Sequence, residues 1–292
     1  MEYNKENGWM PCMRPMILLY HVMFKTYPAI CPILKGEYAM LNLAEKCSAF
    51  SCPKGTLGKM LIATMNVFQT PVSLWGLSHL DIKEDAEILD IGCGGGINLA
   101  RLMKKAPYGH VTGIDLSPDC VSFSFDFNRK AIEDGRCSVY EGSADLLPFG
   151  AEHFDVITAV QTIFFWEDLP KTLKEIRRVL KPGGTFLIIN DFDGYGLLDN
   201  LYPRLIAGMK MYKTEEISAL LTEAGFTNVE VDSKLGCVTI AAHRPITALD
   251  KVKNAVQFDK VRKWGKIAVM AAGTVAVAGA AAYVIQKKRS KK

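Results

Sequence analysis

The sequence predicts an α/β protein built on a doubly wound, mostly parallel sheet, and three observations carry that prediction. Short apolar runs alternate with amphipathic helical stretches between residues 87 and 190, in the rhythm of βαβ units. The first of these runs breaks into a cluster of glycines that opens a helix. Two alternating segments, 228–232 and 237–243, close the pattern as a hairpin.

Taken in order, Ile88, Leu89 and Ile91 make the first strand, which runs into Gly92-Cys93-Gly94-Gly95-Gly96 and resumes as a helix at Ile97. Glycines let the backbone turn sharply there and let a ligand approach the main chain. The end of the first parallel strand is where doubly wound folds hold a nucleotide-like cofactor. A dinucleotide fingerprint would need a third glycine where Ile97 stands, so that reading fails at its last letter. A second strand, 110–114, ends in Asp115-Leu116-Ser117-Pro118. A carboxylate at that tip can accept two hydrogen bonds from a ribose diol; its other role, capping the next helix, suits Ser117 better. The third strand, 138–141, leads into Gly142-Ser143-Ala144-Asp145-Leu146-Leu147-Pro148-Phe149, and the fourth, 154–159, into Val160-Gln161-Thr162. Leu169, Leu173, Ile176, Val179 and Leu180 then recur at helical spacing, Lys181-Pro182-Gly183-Gly184 stops the helix, and 185–190 is the fifth strand. A last helix, 213–224, stops at Gly225 before the closing hairpin.

Several of these segments resemble one family. Asp90-x-Gly92-x-Gly94-x-Gly96 resembles motif I of the class I S-adenosylmethionine (SAM)-dependent methyltransferases. Residues 142–149 and the run Arg178-Val179-Leu180-Lys181-Pro182-Gly183-Gly184 are similar to segments of the branch that contains the ubiquinone and menaquinone C-methyltransferases. The resemblance covers residues 55–244. It implies a Rossmann-like, seven-stranded sheet of order 3-2-1-4-5-7-6 and SAM as cofactor. It further implies donor contacts from Asp90, Gly92, Cys93, Gly94, Gly96, Asp115, Leu116, Ser143, Ala144 and Gln161. The family's adenine-contacting aspartate falls on Ser143, so either Ser143 with the Ala144 backbone reads the adenine, or Asp145 does.

A sulfonium is already a strong electrophile, so holding the acceptor in line within a dry pocket supplies most of the catalysis. No catalytic residue is assigned. An acceptor that must lose a proton would need a base, for which the candidates are Gln161, Trp166, Glu167, Asp168, His79 and His153. Trp166 with Phe164 and Phe165 either walls a cationic or apolar acceptor or packs in the core. After the fourth strand the chain lacks the Asn/Asp-Pro-Pro-aromatic run of enzymes that methylate nucleobase amines. It also lacks the carboxylate cluster of metal-dependent catechol enzymes, and no metal site is predicted. A small-molecule or lipid-soluble acceptor remains. The rival readings are a SAM-binding regulatory or scaffold protein without turnover, and a decarboxylase or other lyase, or an aminopropyl transferase, on the same fold.

Composition and the two ends complete the picture. The 292 residues are 49% hydrophobic, which excludes wholesale disorder. The net charge of +4 hides an asymmetry: residues 251–292 carry 11 Lys/Arg against Asp259 alone, leaving 24 basic and 30 acidic side chains in residues 1–250. An acidic domain makes a poor nucleic-acid platform. The eight cysteines are scattered without a C-x-x-C pair, so free thiols are expected over disulfides or a zinc site on Cys12, Cys31, Cys47 and Cys52. Residues 1–54 form an N-terminal extension, whose apolar stretch 16–24 either caps the site or lies on a membrane. Residues 55–245 are the methyltransferase domain, with a helical lid at 55–80. A basic linker, 246–266, precedes 19 uncharged residues, 267–285, and a basic tail, 286–292. That apolar segment is long enough to cross a bilayer, with Trp264 and Tyr283 near its ends. It predicts a membrane-associated protein with its catalytic domain in the cytoplasm. Ala268, Ala272, Ala276 and Ala280 form a small-residue stripe on which two copies could pair as a homodimer.

Overall fold

The computed structural model describes residues 62, 66, 69–195, 203, 208–248, 250 and 251. The elements are α1 (Thr70–Leu77), β1 (Glu87–Ile91), α2 (Ile97–Lys105), β2 (His110–Asp115), α3 (Pro118–Phe127), α4 (Arg129–Glu133), β3 (Cys137–Glu141), β4 (Phe154–Val160), α5 (Leu169–Val179), β5 (Leu180–Asn190), α6 (Thr214–Glu223), β6 (Thr227–Lys234) and β7 (Cys237–His243). A short 3-10 turn, Ile163–Phe165, follows β4.

The seven strands form one sheet of order β3-β2-β1-β4-β5-β7-β6, as the resemblance implied. β1 to β5 pair in parallel, and β7 joins antiparallel between β5 and β6. Successive side chains of a strand point to opposite faces, so the central strands feed two cores. Leu89, Ile91, Ile157, Ala159, Phe186 and Ile188 meet α5 and α6 on one face. Ile88, Val156, Val160, Leu187 and Ile189 meet α1 and α2 on the other. All the helices that follow parallel strands start at the carboxyl edge of the sheet, so their N-termini gather where the glycine turn lies.

Local chemistry sets the ends. Ser117 Oγ accepts from the Cys120 amide at 3.4 Å and Pro118 opens α3, so Ser117 is the cap and Asp115 is not. Asp168 Oδ1 caps α5, accepting from the Lys171 amide at 2.9 Å. At the other end of α5 the sequence reading is corrected. Leu180 is the first residue of β5, paired with Phe154, and no longer helical. The Lys-Pro-Gly-Gly run is laddered as strand: the Gly183 amide donates to Arg244 O at 2.8 Å and the Arg244 amide to Gly184 O at 3.0 Å. Periodicity missed the boundary because Leu180 is fully buried whichever element claims it. The β6–β7 turn holds Leu235 and Gly236 both at positive φ, the geometry a two-residue hairpin requires.

The chain divides after Pro245 into two units, and in the second only a first helical turn is described. There the Thr247 amide and Oγ1 donate to Asp250 Oδ2 at 2.9 and 2.6 Å, a cap inside the stretch read from sequence as linker. Among the described residues no helix is long and apolar enough to cross a membrane. Segment 267–285, the small-residue stripe, the tail 286–292 and the extension 1–54 lie outside the described residues, as do 55–61, 63–65, 67 and 68 of the lid. Cys93, Cys120, Cys137 and Cys237 are buried free thiols; Cys12, Cys31, Cys47 and Cys52 also lie outside.

Candidate functional site

The glycine turn hangs on the end of β2: the amides of Gly92 and Cys93 both donate to Ile114 O, at 2.7 and 3.1 Å. Gly94 has φ +52°, and a β-carbon there would meet nothing within 4 Å, so the turn presents bare backbone to open space. Gly96 has φ +75° for a different reason. A β-carbon on it would come within 2.3 Å of Ser124 Oγ and 2.5 Å of Asn128 Nδ2, and Asn128 Nδ2 donates to Gly96 O at 3.0 Å. Gly96 therefore lets α2 start against α3.

Above the turn lies a cavity of about 370 Å³. Asp115 sits in its wall with main-chain donors on both carboxylate oxygens: Gly94 N to Oδ2 and Ser117 N to Oδ1, both at 2.9 Å. The Cys120 thiol and the Leu116 amide also bond this carboxylate, which lines the cavity. Burial pushes this carboxyl above its ordinary value, and the bonds from Ser117 and Gly94 pull it back.

Of the ten residues assigned to the donor from sequence, Gly92, Cys93, Gly94, Asp115, Leu116, Ser143, Ala144 and Gln161 line this cavity, and Asp90 and Gly96 do not. Asp90 lies beneath the turn, 1% exposed, its Oδ1 accepting from Thr158 Oγ1 at 2.6 Å. Burial raises its carboxyl to about 7. It supports the turn from below. The Cys93 thiol is pushed well above its ordinary value by burial, with the charges of Asp115 and Asp90 adding to it. Such a thiol is a small packing group, not a nucleophile.

Ser143 and Asp145, open alternatives in the sequence, act in series. Ser143 Oγ donates its proton to Asp145 Oδ1, and Asp145 Oδ2 pairs with Lys171 Nζ at 2.8 Å. Hydrogen bonds from Lys171 and Ser143 hold Asp145 below the usual carboxylate range. With its proton committed, the serine oxygen faces the cavity as an acceptor.

Gln161 follows β4 in the left-handed region, φ +60°, with its amide on Ile189 O at 2.8 Å. It is 9% exposed, and its Nε2 has no partner among the described residues. A strained backbone holding an orphaned buried donor against a cavity marks a ligand position. Three residues that the sequence reading missed also line the wall. Ser73, 1% exposed on α1, has an unpartnered Oγ. Asn66 Nδ2 donates to Gly95 O at 3.3 Å, and Arg101 projects from α2. Ser73 is the polar break in a helix otherwise buried through Val72, Trp75 and Leu77, the one signal the sequence offered.

The six candidate bases separate. Gln161, Trp166 and Glu167 line the cavity. Asp168 is occupied as a cap. His79 bonds Trp75 O at 3.0 Å and Asp232 Oδ2 at 2.8 Å, off the cavity. His153 precedes β4, at the opposite edge of the sheet, packed on Phe149 and Phe154. Of the aromatic trio, Phe165 and Trp166 reach the cavity and Phe164 is core.

Comparison with known proteins agrees with this geometry. Residues 89–188 match the family model described as a methyltransferase domain. A sterol 4-C-methyltransferase of Caenorhabditis elegans is 34% identical over 122 residues, 39% of this chain and 35% of that protein. A demethylmenaquinone methyltransferase of Chlorobaculum parvum is 38% identical over 107 residues, 37% of this chain and 42% of that protein. The chain thus spans less than half the length of these curated relatives. A SAM-dependent methyltransferase from Aquifex aeolicus shares the fold, with a TM-score of 0.53 and 21% identity over 63% of this chain and 96% of that one. Residues 89–188 carry a methyltransferase domain, on a sheet of the order that the resemblance to the class I SAM-dependent methyltransferases implied.

Proposed function

We propose that this protein transfers a methyl group from SAM to a small-molecule acceptor. The carrying observation is Asp115, a buried carboxylate oriented by Gly94 and Ser117 amides beside a bare-backbone turn. The site suits the donor: a cavity-lining carboxylate for a ribose diol, a serine oxygen for an exocyclic amine, and the orphaned Nε2 of Gln161. When bound, SAM supplies an electrophilic methyl on a sulfonium, so no residue has to activate a leaving group. Asp115 and Ser143 orient the nucleoside, Ala144 and Leu116 flank it, and Phe165 and Trp166 exclude water where the acceptor enters. Glu167 is the titratable group on that rim for an acceptor that must lose a proton. Calorimetry with S-adenosylhomocysteine tests donor binding, and labelled SAM incubated with cell extract tests turnover. Binding without labelled product would instead favour a SAM-binding regulatory or scaffold protein.

The acceptor in this proposal is lipid-soluble. Supporting it are the lipids in the names of the two relatives, a sterol and a demethylmenaquinone, and the uncharged segment 267–285 between basic clusters. That segment anchors the protein to a membrane, the catalytic domain faces the cytoplasm where SAM is made, and the Ala268–Ala272–Ala276–Ala280 stripe can pair two copies. Full-length protein and a chain ending at residue 266 are compared for flotation with vesicles, and label is counted in the lipid fraction. Label confined to water-soluble metabolites rejects the lipid acceptor while leaving methyl transfer intact.

A further inference from the structure

Among the described residues lining the cavity, Arg101 is the sole cation. Its guanidinium donates to two neutral oxygens, Asn98 Oδ1 at 2.8 Å and Thr70 Oγ1 at 2.6 Å. Among the described residues it enters no ion pair with a carboxylate. A partly desolvated guanidinium whose hydrogen-bond partners are both neutral, with the buried Asp90 carboxyl acting on it only through space, still has N–H donors to offer. It therefore calls for an anion in the cavity.

Sheet order says which anion. Ser143 leaves β3, Asp115 ends β2, the glycine turn leaves β1, and β3, β2 and β1 are consecutive neighbours. Arg101 stands on α2, which leaves the turn and packs over β1 and β2, and it bonds the first residue of α1, which packs over β5 and β7. A nucleoside with its base at Ser143 and its ribose at Asp115 extends its 5′ substituent across the turn toward that side. For the donor of the preceding section, that substituent is an amino acid, whose only anionic group is its α-carboxylate.

We infer that Arg101 binds the α-carboxylate of the donor's amino-acid half, and so makes the site select amino-acid-bearing nucleosides over truncated ones. The inference rests on the methyl-donor reading. A planar guanidinium fork matches a carboxylate in two parallel hydrogen bonds, which a lysine reproduces only as a point charge.

Calorimetry on the full-length protein tests this with two ligands that share the adenosine: S-adenosylhomocysteine and 5′-methylthioadenosine, which lacks the amino acid. Arg101→Gln is expected to weaken S-adenosylhomocysteine by about tenfold or more, the worth of roughly one charge-assisted hydrogen bond, and methylthioadenosine by less than about threefold. Arg101→Lys is expected to fall between. Thr70→Ala, which removes a neutral partner of Arg101 and keeps the guanidinium, should retain the preference for S-adenosylhomocysteine. The wild-type protein gives an independent reading: decarboxylated S-adenosylhomocysteine should bind about tenfold more weakly than the parent. Equal losses for both ligands in Arg101→Gln, or equal wild-type affinity for parent and decarboxylated ligand, overturn the assignment and leave the donor reading standing. A wild-type protein that binds neither ligand overturns both.

Discussion

The Gly94 amide and the Asp115 carboxylate meet at 2.9 Å, tying the turn after β1 to the tip of β2. The bond joins two residues 21 positions apart and gives the loop a fixed anionic partner before any ligand arrives. Preorganisation of this kind lowers the ordering cost on binding.

Asp115→Asn should therefore lose affinity for the whole nucleoside. An amide accepts at one atom only, and its NH₂ would face the Gly94 or the Ser117 amide. The expected loss is about 1.5–3 kcal/mol, or roughly 10- to 150-fold, the range for hydrogen bonds to a charged group. Because the ribose is common to both, S-adenosylhomocysteine and methylthioadenosine should weaken together. Calorimetric affinities within about threefold of wild type would remove Asp115 from the site.

Gly94 and Gly96 both have positive φ but meet different surroundings, so alanine should rank them. Gly94→Ala suffers the left-handed backbone alone, about 1–2 kcal/mol. Gly96→Ala adds overlap with Ser124 and Asn128, for about 2–4 kcal/mol in all. Urea unfolding should show Gly96→Ala as the less stable; the reverse order would mean the α2–α3 contact is loosely packed.

What the sequence showed and hid has a physical pattern. β1, β2, β4 and β5 are covered on both faces and read as apolar runs, so the parallel sheet was legible. Asp115 was legible because a carboxylate at a strand tip has few other uses. The Ser143–Asp145–Lys171 chain was not, since Lys171 arrives from α5, 26 positions beyond Asp145. Arg101 was hidden because a charged helical residue looks like a solvated face until α1 packs beside it. Asp90 shared a motif with the glycines, yet strand alternation turned its side chain away from the cavity toward Thr158.

Arg244 offers a prediction away from the site. It donates to the carbonyls of Arg177 and Leu180 at 3.1 and 2.6 Å, satisfying the end of α5, and pairs with Glu152 at 2.8 Å while its side chain is 13% exposed. Arg244→Met keeps the packing stem and strips these bonds. The expected destabilisation is about 2–3 kcal/mol, from orphaned carbonyls and the lost ion pair to Glu152. Chemical denaturation showing a loss under about 0.5 kcal/mol would mean water satisfies the helix end equally well.

Asp90 makes stability fall with rising pH, contrary to most paired carboxylates. Burial raises its folded-state carboxyl to about 7, against the Thr158 bond that lowers it, while an unfolded aspartate titrates near ~3.9. Between those values the unfolded chain gives up the proton and the folded chain keeps it. The native state then binds more protons, so stability declines through that window and levels off above about 7. Asp90→Asn keeps an oxygen for Thr158 Oγ1 and cannot titrate. Measured by urea unfolding at pH 5 and pH 8, the ligand-free variant should gain on wild type by on the order of 2 kcal/mol at the higher pH, at ~1.36 kcal/mol per unit of the window crossed. An unchanged gap between the two proteins would show that Asp90 is ionised in the folded state throughout, with its charge compensated by Thr158 and the field of Arg101.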